Sequence, residues 1–225
     1  MGRRALLVGS VGLTAAVATL AVTDALPSVD DVPFVPDRTE LDWLAARLRQ
    51  VDGLGVAEVE GWQDAGRRWR DFAPVGVLVH HTGFRATAGD PHPALRTVVD
   101  GRSDLPGPLC HLLVDRAGTC HVVSAGRANH AGEAVASGPV PGGDGNVHYV
   151  GIEIDYAPQS PYGQAPTPEQ RRAAVLAAAA VVDRLGTDAD HVRYHAETST
   201  SGKWDPGNFL DADSFRAEVA QALGA

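Results

Sequence analysis

The chain has 225 residues, 28 of them Asp or Glu and 19 Lys or Arg, and so carries a net charge of −9 with its 9 histidines neutral. At roughly 100–200 residues per domain this length supports one domain with appendages, and 44% hydrophobic residues are enough to build a core, which excludes wholesale disorder. An acidic chain without an arginine run also lacks the basic face that neutralises phosphates, so DNA and RNA are excluded as principal partners.

Residues 1–25 begin Met-Gly-Arg-Arg, continue through a weakly apolar stretch from Ala5 to Val22, and leave through Thr23-Asp24-Ala25. A basic start, an apolar middle and a small-x-small exit mark an export signal, and Arg3-Arg4 points to a twin-arginine route. The stretch also approaches the ~20 residues that span a bilayer, so an uncleaved anchor is the alternative. In either reading the body of the protein faces outward and touches membrane only through this leader.

Residues 26–37 are rich in proline and aspartate and read as a linker. Asp37 and Glu40 make an acidic capping-box variant ahead of Leu41, Leu44, Ala45 and Leu48, whose spacing predicts a helix over 38–51. Loops and one short strand near Val56–Val59 follow. Val75–Val79 is a short β-branched run after Pro74, the pattern of a fully buried strand, and it delivers His80-His81-Thr82 at its C-terminal end.

A short helix before about residue 100 leads to a hairpin, Cys110–Val114 and Thr119–Ser124, turning at Asp115-Arg116-Ala117-Gly118. With Val114 facing Thr119, Cys110 and Cys120 fall on opposite sides of the hairpin, so both are expected as buried thiols. A Gly/Pro-rich loop then spans Gly126–Val147. Tyr149–Tyr156 is a second buried strand, interrupted by Glu153, and Thr167-Pro168-Glu169-Gln170 opens an alanine-rich helix that runs to Gly186. Val192–His195 reads as a strand, and a helix from about Asp211 to Leu223 closes the chain. Strands alternating with helices predict an α/β fold, a single mixed central β-sheet flanked by α-helices, in one domain over 38–225.

Most of the histidines have an ordinary explanation. His92, His148 and His191 have no chemical neighbours in the sequence, and His111 and His121 sit within hairpin strands as packing residues. His191 and His195 lie four apart, but Val192-Arg193-Tyr194 favours a strand and lacks the glutamate of a His-Glu-x-x-His helix. His80, His81, His130 and His195 remain. Alternation along a strand lets one of His80 and His81 reach the face of a sheet, not both. His195 precedes Asp205, which sits in a loop stiffened by Pro206. A catalytic zinc takes three nitrogen, oxygen or sulfur ligands from protein and a water, so two histidines and one aspartate match its needs.

Three blocks, Val77–Thr82, Val150–Glu153 and His195 with Lys203-Trp204-Asp205-Pro206-Gly207, resemble the signatures of the type 2 zinc-dependent N-acetylmuramoyl-L-alanine amidases. That family shares its fold with peptidoglycan-recognition proteins and phage amidase endolysins. Asp104–Leu109, Asp115–Thr119 and Gly126–Gly132 are similar in the same order, and the resemblance spans about residues 70–215.

The resemblance implies zinc held by His80, His195 and Asp205, with Glu153 as the catalytic acid and base and Lys203 facing the substrate carbonyl. It places His130 on the wall of the substrate groove; Asn129 and His81 join it as substrate-binding candidates, with packing beside the site as the other reading of His81. Many relatives carry a tyrosine near the start of the hairpin strand, where this chain reads Leu109-Cys110-His111, which moves weight onto Glu153. The implied reaction is hydrolysis of the amide between N-acetylmuramic acid and L-alanine in peptidoglycan or a muropeptide, by a secreted or cell-wall-associated monomer. A non-catalytic muropeptide-binding module of the same fold is the alternative; the presence of all three ligand positions with Glu153 argues for the enzyme.

Overall fold

The computed structural model describes residues 41–66 and 71–224. The leader, the linker and the Asp37–Glu40 cap lie outside the described residues. Helix α1 (Leu44–Arg49) buries Leu44, Ala45 and Leu48, the residues whose spacing predicts it. It is shorter than expected because the chain turns over residues 50–53.

Six strands form the central sheet: β1 (Gly55–Glu58), β2 (Gly76–His81), β3 (Leu112–Val114), β4 (Thr119–Val122), β5 (Tyr149–Ile154) and β6 (Val192–Tyr194). Their order is β1-β4-β3-β5-β2-β6. Neighbours β3, β5, β2 and β6 run parallel, β4 is antiparallel to β3, and β1 is parallel to β4, so the sheet is mixed as expected. Helices α2 (Leu95–Asp100), α3 (Pro168–Leu185) and α4 (Ala212–Leu223) complete the main elements.

One face of the sheet is apolar. Val77, Val79, Leu112, Val114, Val150, Ile152 and Ile154 bury against side chains of α1, α3 and α4 in a single cluster. Helix α3 meets them with Ala173, Ala174, Ala177, Ala178 and Val181, small residues that let the helix lie close to the strands. Its start is the predicted capping box: Gln170 N–H donates to Thr167 Oγ1 and Thr167 N–H donates to Gln170 Oε1, each at 3.0 Å.

The hairpin register differs from the expectation by one residue, Val114 pairing with Cys120 and not with Thr119. The cause is Asp115, whose Oδ1 accepts N–H bonds from Ala117 at 2.9 Å and Thr119 at 2.8 Å and so holds a wider loop, with Gly118 at a φ of 86°. Cys120 joins the helix-side cluster, whereas Cys110 packs with Val98, Leu113 and Val123 on the other face, so the thiols do lie on opposite sides and both are free. Burial raises both of them, Cys120 to about 12.

The other face presents Leu78, His80, Leu113, Gly151 and Glu153, aligned by the β2–β5 and β3–β5 pairings. Loops cover it, and they hold more structure than the sequence predicts. Gly101–Arg102 pairs with Leu105–Pro106, and Glu133–Ala134 pairs with Gly143–Asp144 within the segment expected to be a loop. No helix among the described residues is long and apolar enough to cross a membrane.

Candidate active site

The parallel strands β5, β2 and β6 end side by side, and sites in such sheets form at those carboxyl ends. Register places His80 directly beside Glu153. Strand β6 stops at Tyr194, one residue earlier than expected, and His195 instead opens a one-turn helix, His195–Thr198. Asp205 is held by its own backbone. Its carbonyl accepts from Ala196 N–H at 2.9 Å, the Trp204 carbonyl accepts from Gly207 N–H at 2.9 Å, and the Tyr156 hydroxyl donates to the Pro206 carbonyl.

Three segments thereby bring three ligand atoms together. His80 Nδ1 lies 3.1 Å from His195 Nδ1 and 2.8 Å from Asp205 Oδ2, and His195 Nδ1 lies 3.0 Å from Asp205 Oδ2. Among the described residues this trio is the group of His, Cys, Asp and Glu side chains able to hold a metal ion. Two imidazole nitrogens and a carboxylate oxygen so spaced suit zinc, whose nitrogen and oxygen ligands sit at about 2.0–2.2 Å. His195 Nε2, on the far side of its ring, lies 3.1 Å from the Ala131 carbonyl. A carbonyl only accepts, so Nε2 carries the proton and Nδ1 presents its lone pair to the trio.

The electrostatics agree with a metal-ligand role. Burial pulls His80 down to about 4 despite the opposing pull of Asp205, which keeps the ring neutral as a ligand must be.

Glu153 is an uncompensated carboxyl. Its Oε2 is buried without a hydrogen-bond partner, and burial, then Asp205 and Asp155, push the carboxyl well above its ordinary value, while Lys203 and Arg102 pull it back. A single cavity of about 540 Å³ collects every sequence-predicted site residue: His80, His81, Asn129, His130, Glu153, His195, Lys203 and Asp205. Lys203 is exposed on its wall, its backbone N–H bonded to Ser199 Oγ at 3.2 Å. Asn129 donates from Nδ2 to the Pro106 carbonyl at 2.7 Å. His130 has both ring nitrogens engaged, Nδ1 at 3.0 Å from His80 Nε2 and Nε2 at 3.2 Å from the Tyr149 carbonyl.

Strict alternation fails at one point, because His80 and His81 both reach the cavity. His81 is the last residue of β2, where the chain leaves the sheet, and its ring lies 5.0 Å from Trp204 and 5.6 Å from Tyr156. His111 stacks on Phe72 and accepts the Gly151 N–H at Nδ1, and His121 pairs with Asp115, so both serve packing as expected.

Arg102, Leu105 and Trp204 also line the cavity, and the sequence did not single them out as site residues. Asn146 is another such residue, its Oδ1 accepting the N–H groups of His130 and Ala131, each at 2.8 Å. Two-residue ladders and one-turn helices carry most of these, too short for any periodicity to announce them.

Comparison with known proteins places this arrangement. The sequence profile of the N-acetylmuramoyl-L-alanine amidase family matches residues 70–208, more than half of the chain. No protein with a curated description matches it. Among solved structures, a selenomethionine derivative of AmpD is similar over 73% of this chain and 93% of its own, with a TM-score of 0.53 and 20% identity. The N-acetylmuramoyl-L-alanine amidase LysC from Clostridium intestinale is similar over 73% of this chain and 96% of its own, with a TM-score of 0.50 and 14% identity. AMPDH3 from Pseudomonas aeruginosa, solved in complex with an anhydromuramic pentapeptide, is similar over 64% of this chain and 59% of its own, at 0.50 and 18%. These structural likenesses are likenesses of fold.

Proposed function

The chain belongs to the N-acetylmuramoyl-L-alanine amidase family, and from that premise we propose that it is an exported zinc enzyme cutting the bond between N-acetylmuramic acid and L-alanine of peptidoglycan. The observation that carries this reading is the meeting of His80 Nδ1, His195 Nδ1 and Asp205 Oδ2 within 3.1 Å beside the unpartnered Glu153 carboxylate. A zinc ion held by those three residues would lower the pKa of water from ~15.7 toward ~7 and polarise the scissile carbonyl.

The remaining work belongs to the chain's own side chains. Glu153 takes a proton from the attacking water and returns it to the leaving alanine nitrogen, the two halves of general acid–base catalysis. Burial makes it a weaker acid than an ordinary carboxyl, and a carboxyl so tuned holds the proton long enough to pass it on. The Lys203 ammonium presents a point charge toward the carbonyl oxygen as that oxygen gains negative charge. Support for a muramoyl peptide as substrate comes from the shared fold with AMPDH3, which was solved with an anhydromuramic pentapeptide. Export rests on residues 1–25 alone.

The test joins metal analysis to digestion. Purified protein is expected to hold about one zinc, as a single three-ligand site does, and to release stem peptides with a free N-terminal L-alanine in a reaction that chelation stops and zinc restores. Full hydrolysis by metal-free protein, or cleavage at a glycosidic bond, overturns the reading.

A further inference from the structure

We propose that His130 is a positioning residue that fixes the tautomer of His80, and that Gly151 is a glycine because the His130 ring occupies the place of its side chain. The proposal rests on the reading of His80 as a metal ligand. His130 Nε2 lies 3.2 Å from the Tyr149 carbonyl, which has no proton to give, so Nε2 carries the ring's proton. A neutral imidazole carries one ring proton, and here Nε2 holds it against the carbonyl. Its Nδ1 must then accept.

The atom facing His130 Nδ1 is His80 Nε2, at 3.0 Å, which therefore donates. A neutral His80 with its proton on Nε2 has a bare lone pair on Nδ1, the atom that meets His195 Nδ1 and Asp205 Oδ2. The opposite tautomer would instead place a proton on Nδ1, donate it to Asp205 at 2.8 Å and fill the ion's place with a hydrogen bond. His195 is set in the same sense by the carbonyl of Ala131, the next residue. One dipeptide, His130-Ala131, thus orients both histidines, and Asn146 Oδ1 pins it by accepting its two N–H groups at 2.8 Å each. Three lone-pair-bearing atoms with no shared hydrogen between them are a site that only a cation completes.

Gly151 provides independent support. It lies within β5 between Val150 and Ile152, where a side chain would ordinarily be present. A Cβ on Gly151 would stand 2.6 Å from His130 Nδ1, 2.7 Å from Cγ and 2.8 Å from Cε1. The strand has given up a side chain on its polar face to seat the imidazole.

The experiment titrates metal-free protein with zinc against a chromophoric chelator and reads the tautomer of His80 by nitrogen NMR. His130→Leu is expected to weaken zinc binding by about 10–100-fold, the usual effect of losing a partner that orients a ligand. His130→Asn, whose Oδ1 can accept in place of Nδ1, should restore binding to within a few-fold, and Gly151→Ala should weaken it by displacing the ring. The wild-type spectrum should show His80 protonated at Nε2, a measurement that needs no variant to fold. Finding the proton on Nδ1, or finding His130→Leu and His130→Asn equal in zinc affinity, overturns the proposal. Wild-type protein that binds no zinc overturns the metal reading instead, and the His80 tautomer still decides the role of His130.

Discussion

The two faces of the central sheet are made by alternate residues of the same strands, yet they follow opposite rules. Toward the helices, Val77, Val79, Val150, Ile152 and Ile154 form an unbroken apolar surface whose polar backbone groups are satisfied within the sheet. Toward the loops, Leu78 and Leu113 share the surface with His80, Gly151 and Glu153, and Glu153 keeps a buried oxygen with no partner. A buried polar atom left unpaired is destabilising by about 1–3 kcal/mol. Stability is therefore gathered on one face and yielded on the other, and in β5 the boundary between them is one residue wide, running between Ile152 and Glu153.

Substitutions on the two sides of that boundary put the comparison at risk. Glu153→Ala should lower kcat by about 10²–10⁴-fold, the worth of a positioned acid–base group, while zinc content and Tm do not fall, since the variant removes a buried oxygen that has no hydrogen-bond partner. A drop in Tm as large as that of a core truncation would break the comparison. Its neighbour gives the mirror image: Ile152→Ala should lose about 2–5 kcal/mol in urea unfolding, with kcat per folded molecule preserved. Thr167→Ala removes the cap of α3 and should lose about 1 kcal/mol, again without touching turnover. The smallest effect is one of position on the pH axis. Glu153 works as a carboxylate, so activity falls on acidification through its raised pKa. Lys203 lowers that pKa, and removing its charge raises it further. The acid limb of the kcat/KM profile of Lys203→Met should therefore lie at higher pH than that of the wild type; a limb that stays or moves down shows that the ammonium does not act on Glu153.

What could be read in the sequence follows the same division. The apolar face was legible because burial imposes a pattern on neighbouring residues: the Val75–Val79 run, the Tyr149–Tyr156 run and the Thr167–Gln170 box each predict an element that is present. Of the polar face, the strand ends were legible and the loops above them were not. His80 and Glu153 stand where a buried strand delivers them, but the spacing of His195 and Asp205 left a metal site open until the ordered blocks were compared with a family. The hairpin slipped by a residue because one carboxylate, Asp115, reorganised its turn, and His81 escaped alternation because a strand's last residue is no longer held by the pleat. Arg102 and Asn146 were silent because long-range contacts, with no local pattern, carry them to the cavity.

The two cysteines have a consequence for where this protein can be made. Cys110 and Cys120 lie on opposite sides of the sheet, each buried and each held as a thiol. The β-strands stand between the sulfurs, so no oxidant can join them without unfolding the domain, and no oxidoreductase is needed to mature it. The folded domain therefore has the same covalent structure in a reducing and in an oxidising compartment.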